Sequence, residues 1–298
     1  KYCSLFYLPK HLIFFSGAFY FEDNFSVYCL LQFQVFHKKF KEKYKIMFLF
    51  QPPPPTRFDL CFSVAGIPIR VHPLFWLIAI LFGSSSGSVA ELLGWVIAVF
   101  VSITIHELGH AFAMRRYGQN SQIILHLAGG LTVPESISWG GRYASVALSA
   151  NQQIFVSLAG PFAGFLFAAL LLVVSIPLGG VILPGSVFGF IPFPYILFPA
   201  GWDILTSFFM SLLWVNIFWG LFNLLPVYPL DGGTVMRYIL VQTDPLNGLR
   251  TSLWASVITG TAVAIAGLLF LHSTYMAILF GLLAFQSFQA LQSGAGRY

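Results

Sequence analysis

The segment Ser102-Ile103-Thr104-Ile105-His106-Glu107-Leu108-Gly109-His110-Ala111 carries two histidines four residues apart, with a glutamate beside the first. On a helix, residues four apart share a face, with Cβ atoms about 5–6 Å from each other. Two imidazoles at that separation can bind one Zn2+. Glu107 adjoins the first ligand and is placed to take a proton from water as a general base. The blander alternative is a histidine pair bonded to neighbouring helices, with Glu107 as a paired polar group. That role leaves three costly groups in an apolar helix without a reason to be there.

A catalytic zinc usually takes three protein ligands and keeps one position open. Acids are scarce in residues 47–298, so each can be taken in turn. Asp59, Glu91, Glu135, Asp203 and Asp244 fall in loops or at the ends of apolar segments, where a solvated charge costs little. Asp231 stands apart, in Asn223-Leu224-Leu225-Pro226-Val227-Tyr228-Pro229-Leu230-Asp231-Gly232-Gly233. Pro226 and Pro229 break a helix there, and Gly232-Gly233 permits a tight turn. The competing reading of Asp231 is a turn aspartate that caps the next helix.

The elements that must position these residues follow from composition. Of 298 residues, 57% are hydrophobic and 8% are charged. A soluble domain carries roughly 25% charged residues, so a water-soluble globular protein is excluded. Disorder is excluded by the high hydrophobicity. An all-α polytopic membrane protein remains. A span needs about 20 apolar residues. Residues 92–113, 154–176, 204–225, 253–271 and 274–291 meet that length. The earlier run 73–82 is short and must continue through 83–88 to cross, which makes about six transmembrane helices. Residues 183–199 hold Pro184, Pro192, Pro194 and Pro199, and are expected to form an interfacial or re-entrant loop. Residues 121–133 read as short strand, glycine turn, short strand, a β-hairpin whose edge could pair with an extended substrate.

The arginines orient these spans. Arg57 and Arg70 precede the first, Arg115, Arg116 and Arg142 lie between the second and third, Arg237 and Arg250 between the fourth and fifth, and Arg297 after the sixth. The alternate loops 83–91, 177–203 and 272–273 contain neither Lys nor Arg. Both termini are therefore expected to be cytoplasmic. His110 precedes Arg115 by five residues, about 7–8 Å along a helix. Asp231 lies beyond the same end of the fourth span. Both motifs thus reach one side at similar depth, an agreement that arginine counting alone could not have been arranged to give.

Most of the net charge of +5 belongs to the first residues, because all seven lysines lie at or before Lys45. Residues 1–46 form an atypical basic and aromatic tail, followed by a Pro-rich leader at 47–57 and the main domain at 58–298. Two readings of the tail stand: a membrane-surface segment, or an extension foreign to the native protein with Met47 as the true start. Composition favours the second. The basic balance is no sign of nucleic-acid binding, and Cys3, Cys29 and Cys61 have no metal-type spacing.

These motifs together resemble the site-2 protease family of intramembrane zinc metalloproteases. The likeness rests on His106-Glu107-Leu108-Gly109-His110, on residues 223–233, and on Ser157-Leu158-Ala159-Gly160-Pro161-Phe162-Ala163-Gly164. Gly129-Gly130 and Gly66-Ile67-Pro68-Ile69-Arg70-Val71-His72-Pro73 are weaker matches. The resemblance covers about residues 58–292 and suggests a minimal form without a PDZ or CBS domain. It implies His106, His110 and Asp231 as zinc ligands and Glu107 as general base. It implies substrate contacts from Asn223, Gly129 and Gly130, and a membrane-associated setting for the hairpin. Gly160 and Gly164 are expected to serve close packing against the zinc helix. His126 could assist the site, although a lone loop histidine is more often incidental.

The implied activity is hydrolysis of peptide bonds in or near transmembrane segments of membrane-anchored protein substrates, as in regulated intramembrane proteolysis. The expected partners are that substrate and the lipid bilayer, not nucleic acid, and the expected home is the cell (inner) membrane. No oligomeric state is indicated. Two alternatives stay open. A protease of the type that trims prenylated proteins would take a glutamate from a later helix, and no acid follows Asp244. A non-catalytic metal-binding or transport protein would use the His pair as an ion site and would not need Glu107.

Overall fold

The computed structural model describes residues 52–293 apart from 85, 136, 140, 141, 145, 146, 188 and 190. The readings of residues 1–46 and of Met47 as a start lie outside the described residues.

Two strands come first, β1 (Leu60–Val64) and β2 (Ile67–Val71), then a short helix α1 (Pro73–Gly83) and a long one, α2 (Val89–Arg116). The pair β3 (Ser121–His126) and β4 (Gly129–Pro134) follows, then β5 (Ile137–Trp139) and β6 (Arg142–Ala144), then α3 (Ala150–Ser175). The chain continues through β7 (Val181–Val187), β8 (Ile191–Leu197), α4 (Asp203–Asn223), α5 (Asp231–Thr243), α6 (Gly248–Leu269) and α7 (Thr274–Gln292).

Among the described residues, five helices are long and apolar enough to cross a membrane: α2, α3, α4, α6 and α7. Their exposed side chains include Leu166, Val173, Ile258, Ile265 and Leu269, as lipid-facing helices require. The protein is a multi-pass membrane protein that is mostly helical with a small sheet. The first expected span differs. α1 has 11 residues, about 16 Å of helix, against a hydrocarbon core of about 30 Å.

α2 extends beyond its apolar core at both ends for local reasons. The Ser88 side chain caps it by accepting from the Glu91 backbone N–H, and Arg115 and Arg116 fill its last turn, where cations suit the helix dipole. Gly118, at φ 75°, then turns the chain away. α3 begins on a capping box in which Ser149 and Gln152 satisfy each other's backbone N–H groups.

β3 and β4 pair antiparallel within a larger sheet of order β1-β2-β3-β4. β2 runs parallel to β3, with Ile69 opposite Ile123 and Val71 opposite Leu125. This sheet packs on α2, where Ile67, Ile69, Val71, Phe75, Ile123 and Leu125 bury against Ile103 and Ala111. The expected loop at 183–199 is instead a separate two-stranded hairpin, β7–β8, with Pro184 opposite Pro194. The prolines rule out a helix, as read. A two-stranded ribbon is all edge, however, and tolerates residues that cannot donate to a ladder. Within the bundle α2 packs on α3 and α4, α3 on α4 and α5, and α6 on α5 and α7.

Candidate metal and catalytic site

The two histidines of α2 lie on one face, and their Nε2 atoms are 3.2 Å apart. Asp231 completes the group: its Oδ2 is 3.1 Å from His106 Nε2, and its Oδ1 is 3.3 Å from His110 Nε2. Both histidines are buried, at 3% and 7% exposure. Asp231 is the first residue of α5 behind the N-cap Leu230, so it does not act as the cap. Its carboxylate reaches the histidines instead.

The donor atoms fit a metal. His110 Nδ1 lies 2.7 Å from the Val156 carbonyl. A carbonyl only accepts, so Nδ1 carries a hydrogen and Nε2 is the ring atom turned toward the group. Nitrogen and carboxylate donors thus converge where a cation is needed. Tetrahedral zinc with bonds of about 2.0–2.1 Å sets its ligand atoms about 3.3–3.4 Å apart. The two Nε2 atoms, 3.2 Å apart, come close to that edge, and each lies 3.1–3.3 Å from one of the two Asp231 oxygens. His106, His110 and Asp231 are therefore a possible metal site.

Glycines allow these side chains to meet. A Cβ at position 160 would fall on the His110 ring, and one at Gly109 would lie 2.5 Å from the Ala159 carbonyl oxygen. α2 and α3 can approach only because both positions lack a side chain. Gly164 lies instead against Asn216 of α4. Gly232 and Gly233 work similarly: a Cβ would strike the Leu224 carbonyl in the first case and the Val227–Tyr228 backbone in the second. The sequence suggested a tight turn at this pair. The structural need is close backbone approach, which sets the start of α5 against the end of α4.

Glu107 is 5% exposed. Its Oε2 accepts a hydrogen bond from Thr132 Oγ1 of β4 at 2.7 Å. Gly130 faces the same side chain, and a Cβ there would lie 2.5 Å from Oε1. Gly129, at φ 114°, lies under the Trp219 ring, where a Cβ would be 2.7 Å from the nearest carbon. The two glycines thus pack on Glu107 and Trp219. Asn223 donates from Nδ2 to the Trp219 carbonyl, one turn back on its own helix, at 2.9 Å. His126 is buried apart from the His–Asp group. Burial, His72 and the Arg70 guanidinium push its pKa down to about 4, so it is uncharged at neutral pH.

Thr132, the Val156 carbonyl and the contact of Gly160 with His110 are absent from the sequence-derived site. The expected packing of Gly160 on α2 is met by its contact with His110, and Thr132 carries a signal as well. It lies two residues from Gly130, hence on the same strand face.

Residues 94–192 and 198–265, more than half of the chain, match the family model for Peptidase family M50. The chain belongs to that family, and the resemblance read from the sequence is borne out. The zinc metalloprotease MJ0392 of Methanocaldococcus jannaschii is 30% identical over 184 residues. That alignment covers 60% of this chain and 44% of the relative, so the chain matches less than half the relative's length. A solved site-2 protease from Methanocaldococcus jannaschii superposes with a TM-score of 0.46 at 25% identity, over 78% of this chain and 95% of that one.

Proposed function

We propose that the chain is an intramembrane zinc-dependent endopeptidase that cuts membrane-anchored proteins in or near their transmembrane segments. The observation that carries this is the buried Glu107 carboxylate beside the converging His106, His110 and Asp231 donors. Those three residues would hold Zn2+. A zinc ion there supplies Lewis acidity toward the scissile carbonyl and toward water. Glu107 takes the proton of the attacking water and passes it to the leaving amine. β4 forms the outer edge of its sheet among the described residues. An unwound substrate segment can pair with that edge through backbone hydrogen bonds. Asn223 spends one amide hydrogen on Trp219 and has a second for the substrate backbone. Gly129 and Gly130 let the edge strand lie against Trp219 and Glu107. A purified sample should lose cleavage of a tagged single-span substrate on zinc chelation and regain it on adding zinc. Undiminished cleavage in the metal-free sample would overturn the reading.

The same proposal places both termini in the cytoplasm of a cell (inner) membrane protein with six crossings. β2 lies beside β3, which follows the Arg115-Arg116 end of α2. α1 then leads toward the other end, where Trp95 Nε1 donates to the Ala79 carbonyl at 3.1 Å and Gly83 packs on Leu92 and Trp95. The 11 helical residues reach about 16 Å, so residues 83–88 complete the crossing. Cys61 on β1 is a free, exposed thiol. With Cys3 and Cys29 changed to Ser, an impermeant thiol reagent should label Cys61 in inside-out vesicles and not in intact cells. Labelling in intact cells would reverse the orientation.

A further inference from the structure

The geometry points to Thr132 as a positioning residue for Glu107, so that strand β4 sets the orientation of the base. This rests on the peptidase reading above and goes beyond it. The Thr132 hydroxyl lies 2.7 Å from Glu107 Oε2 and 3.1 Å from the Glu107 carbonyl oxygen. A hydroxyl has one hydrogen to donate, and a carboxylate is the stronger acceptor. The shorter contact is in the range of a charge-assisted O–H···O⁻ bond, so the hydrogen goes to Oε2.

The far side of the carboxylate is bounded as well. Gly130 lies against Oε1 with no room for a side chain. Gly130 and Thr132 alternate on β4 and therefore address one face. The strand itself is held in place. Gly130 pairs with Leu125 and Thr132 with Ile123, and both partners are fully buried. Glu107 stands on the helix that carries the histidines, yet its carboxylate is steered from the sheet. A base needs its oxygen within hydrogen-bond reach of the proton it takes. A misplacement of about 1 Å costs on the order of 10²-fold in rate.

The test compares Thr132→Val, which keeps the shape and loses the hydroxyl, with Thr132→Ser, which keeps the hydroxyl. Purified variants would be assayed on a tagged single-span substrate beside the wild type and Glu107→Gln, with zinc counted in each. Thr132→Val should lower kcat about 10- to 100-fold, with KM within about twofold and zinc unchanged. Thr132→Ser should return kcat to within about threefold of the wild type. A second readout needs no activity. In a thermal-unfolding cycle, Thr132→Val should lower Tm more in the wild type than in a Glu107→Ala background.

Wild-type kcat in Thr132→Val, with Glu107→Gln inactive, would overturn the positioning role and leave the peptidase reading standing. Equal impairment of the Val and Ser variants would reduce Thr132 to packing and overturn it too. An inactive wild type would count against the peptidase reading, and the thermal cycle would then decide. Additive Tm losses overturn the Thr132–Glu107 link, and a smaller loss in the Glu107→Ala background sustains it.

Discussion

Asp231→Asn should strip the site of its metal. The purified variant is expected to hold less than a tenth of the wild-type zinc, and cleavage should fall to background. Two imidazoles and one carboxylate converge, with nearest atoms 3.1–3.3 Å apart. Asp231 is the one anion among them. The substitution keeps its size and removes the charge that a buried dication needs. Losing a mere outer partner of a metal ligand already costs about 10–100-fold in affinity, so losing a ligand should cost more. The change should be tolerated by the fold, because Asp231 is the first residue of α5 and does not cap it. Wild-type zinc content in this variant would remove Asp231 from the ligand set.

Glu107→Gln should separate binding from chemistry. The amide has nearly the volume of the carboxyl and fits between Gly130 and Thr132, but it cannot accept a proton. The ligand atoms of His106, His110 and Asp231 are untouched, so zinc should stay at the wild-type level. Cleavage should fall by about 10²–10⁴-fold, the range set by loss of a general base. A carrier that merely bound metal through the histidines would show no activity to lose.

Much of this site was legible in the chain because its chemistry is local or scarce. The spacing of His106 and His110 is a property of one helix. Asp231 stood out because so few acids lie in the apolar part of the sequence, and because both motifs reach the same side. The long helices follow from apolar length.

What escaped the sequence depends on contacts between distant segments. Thr132 meets Glu107 across 25 residues, and its place two residues from Gly130 gives a strand face but not the partner. Gly160 looked like a packing glycine, but only the crossing of α2 and α3 puts the His110 ring on it. The parallel pairing of β2 with β3 joins strands separated by two helices, so residues 66–73 read as a mere lead into the first span. α5 was missed because its apolar face is short and follows two prolines. The prolines of 183–199 gave the right exclusion of a helix without the hairpin, since they say where a ladder cannot donate rather than what it pairs with.

In the proposed mechanism Glu107 does the proton transfer at a metal held by His106, His110 and Asp231. The most direct measurement uses purified wild type and Glu107→Gln in lipid vesicles with a tagged single-span substrate, with zinc counted in the same samples. Equal zinc in both and cleavage by the wild type alone are expected. Equal cleavage by the two zinc-loaded proteins would contradict that mechanism.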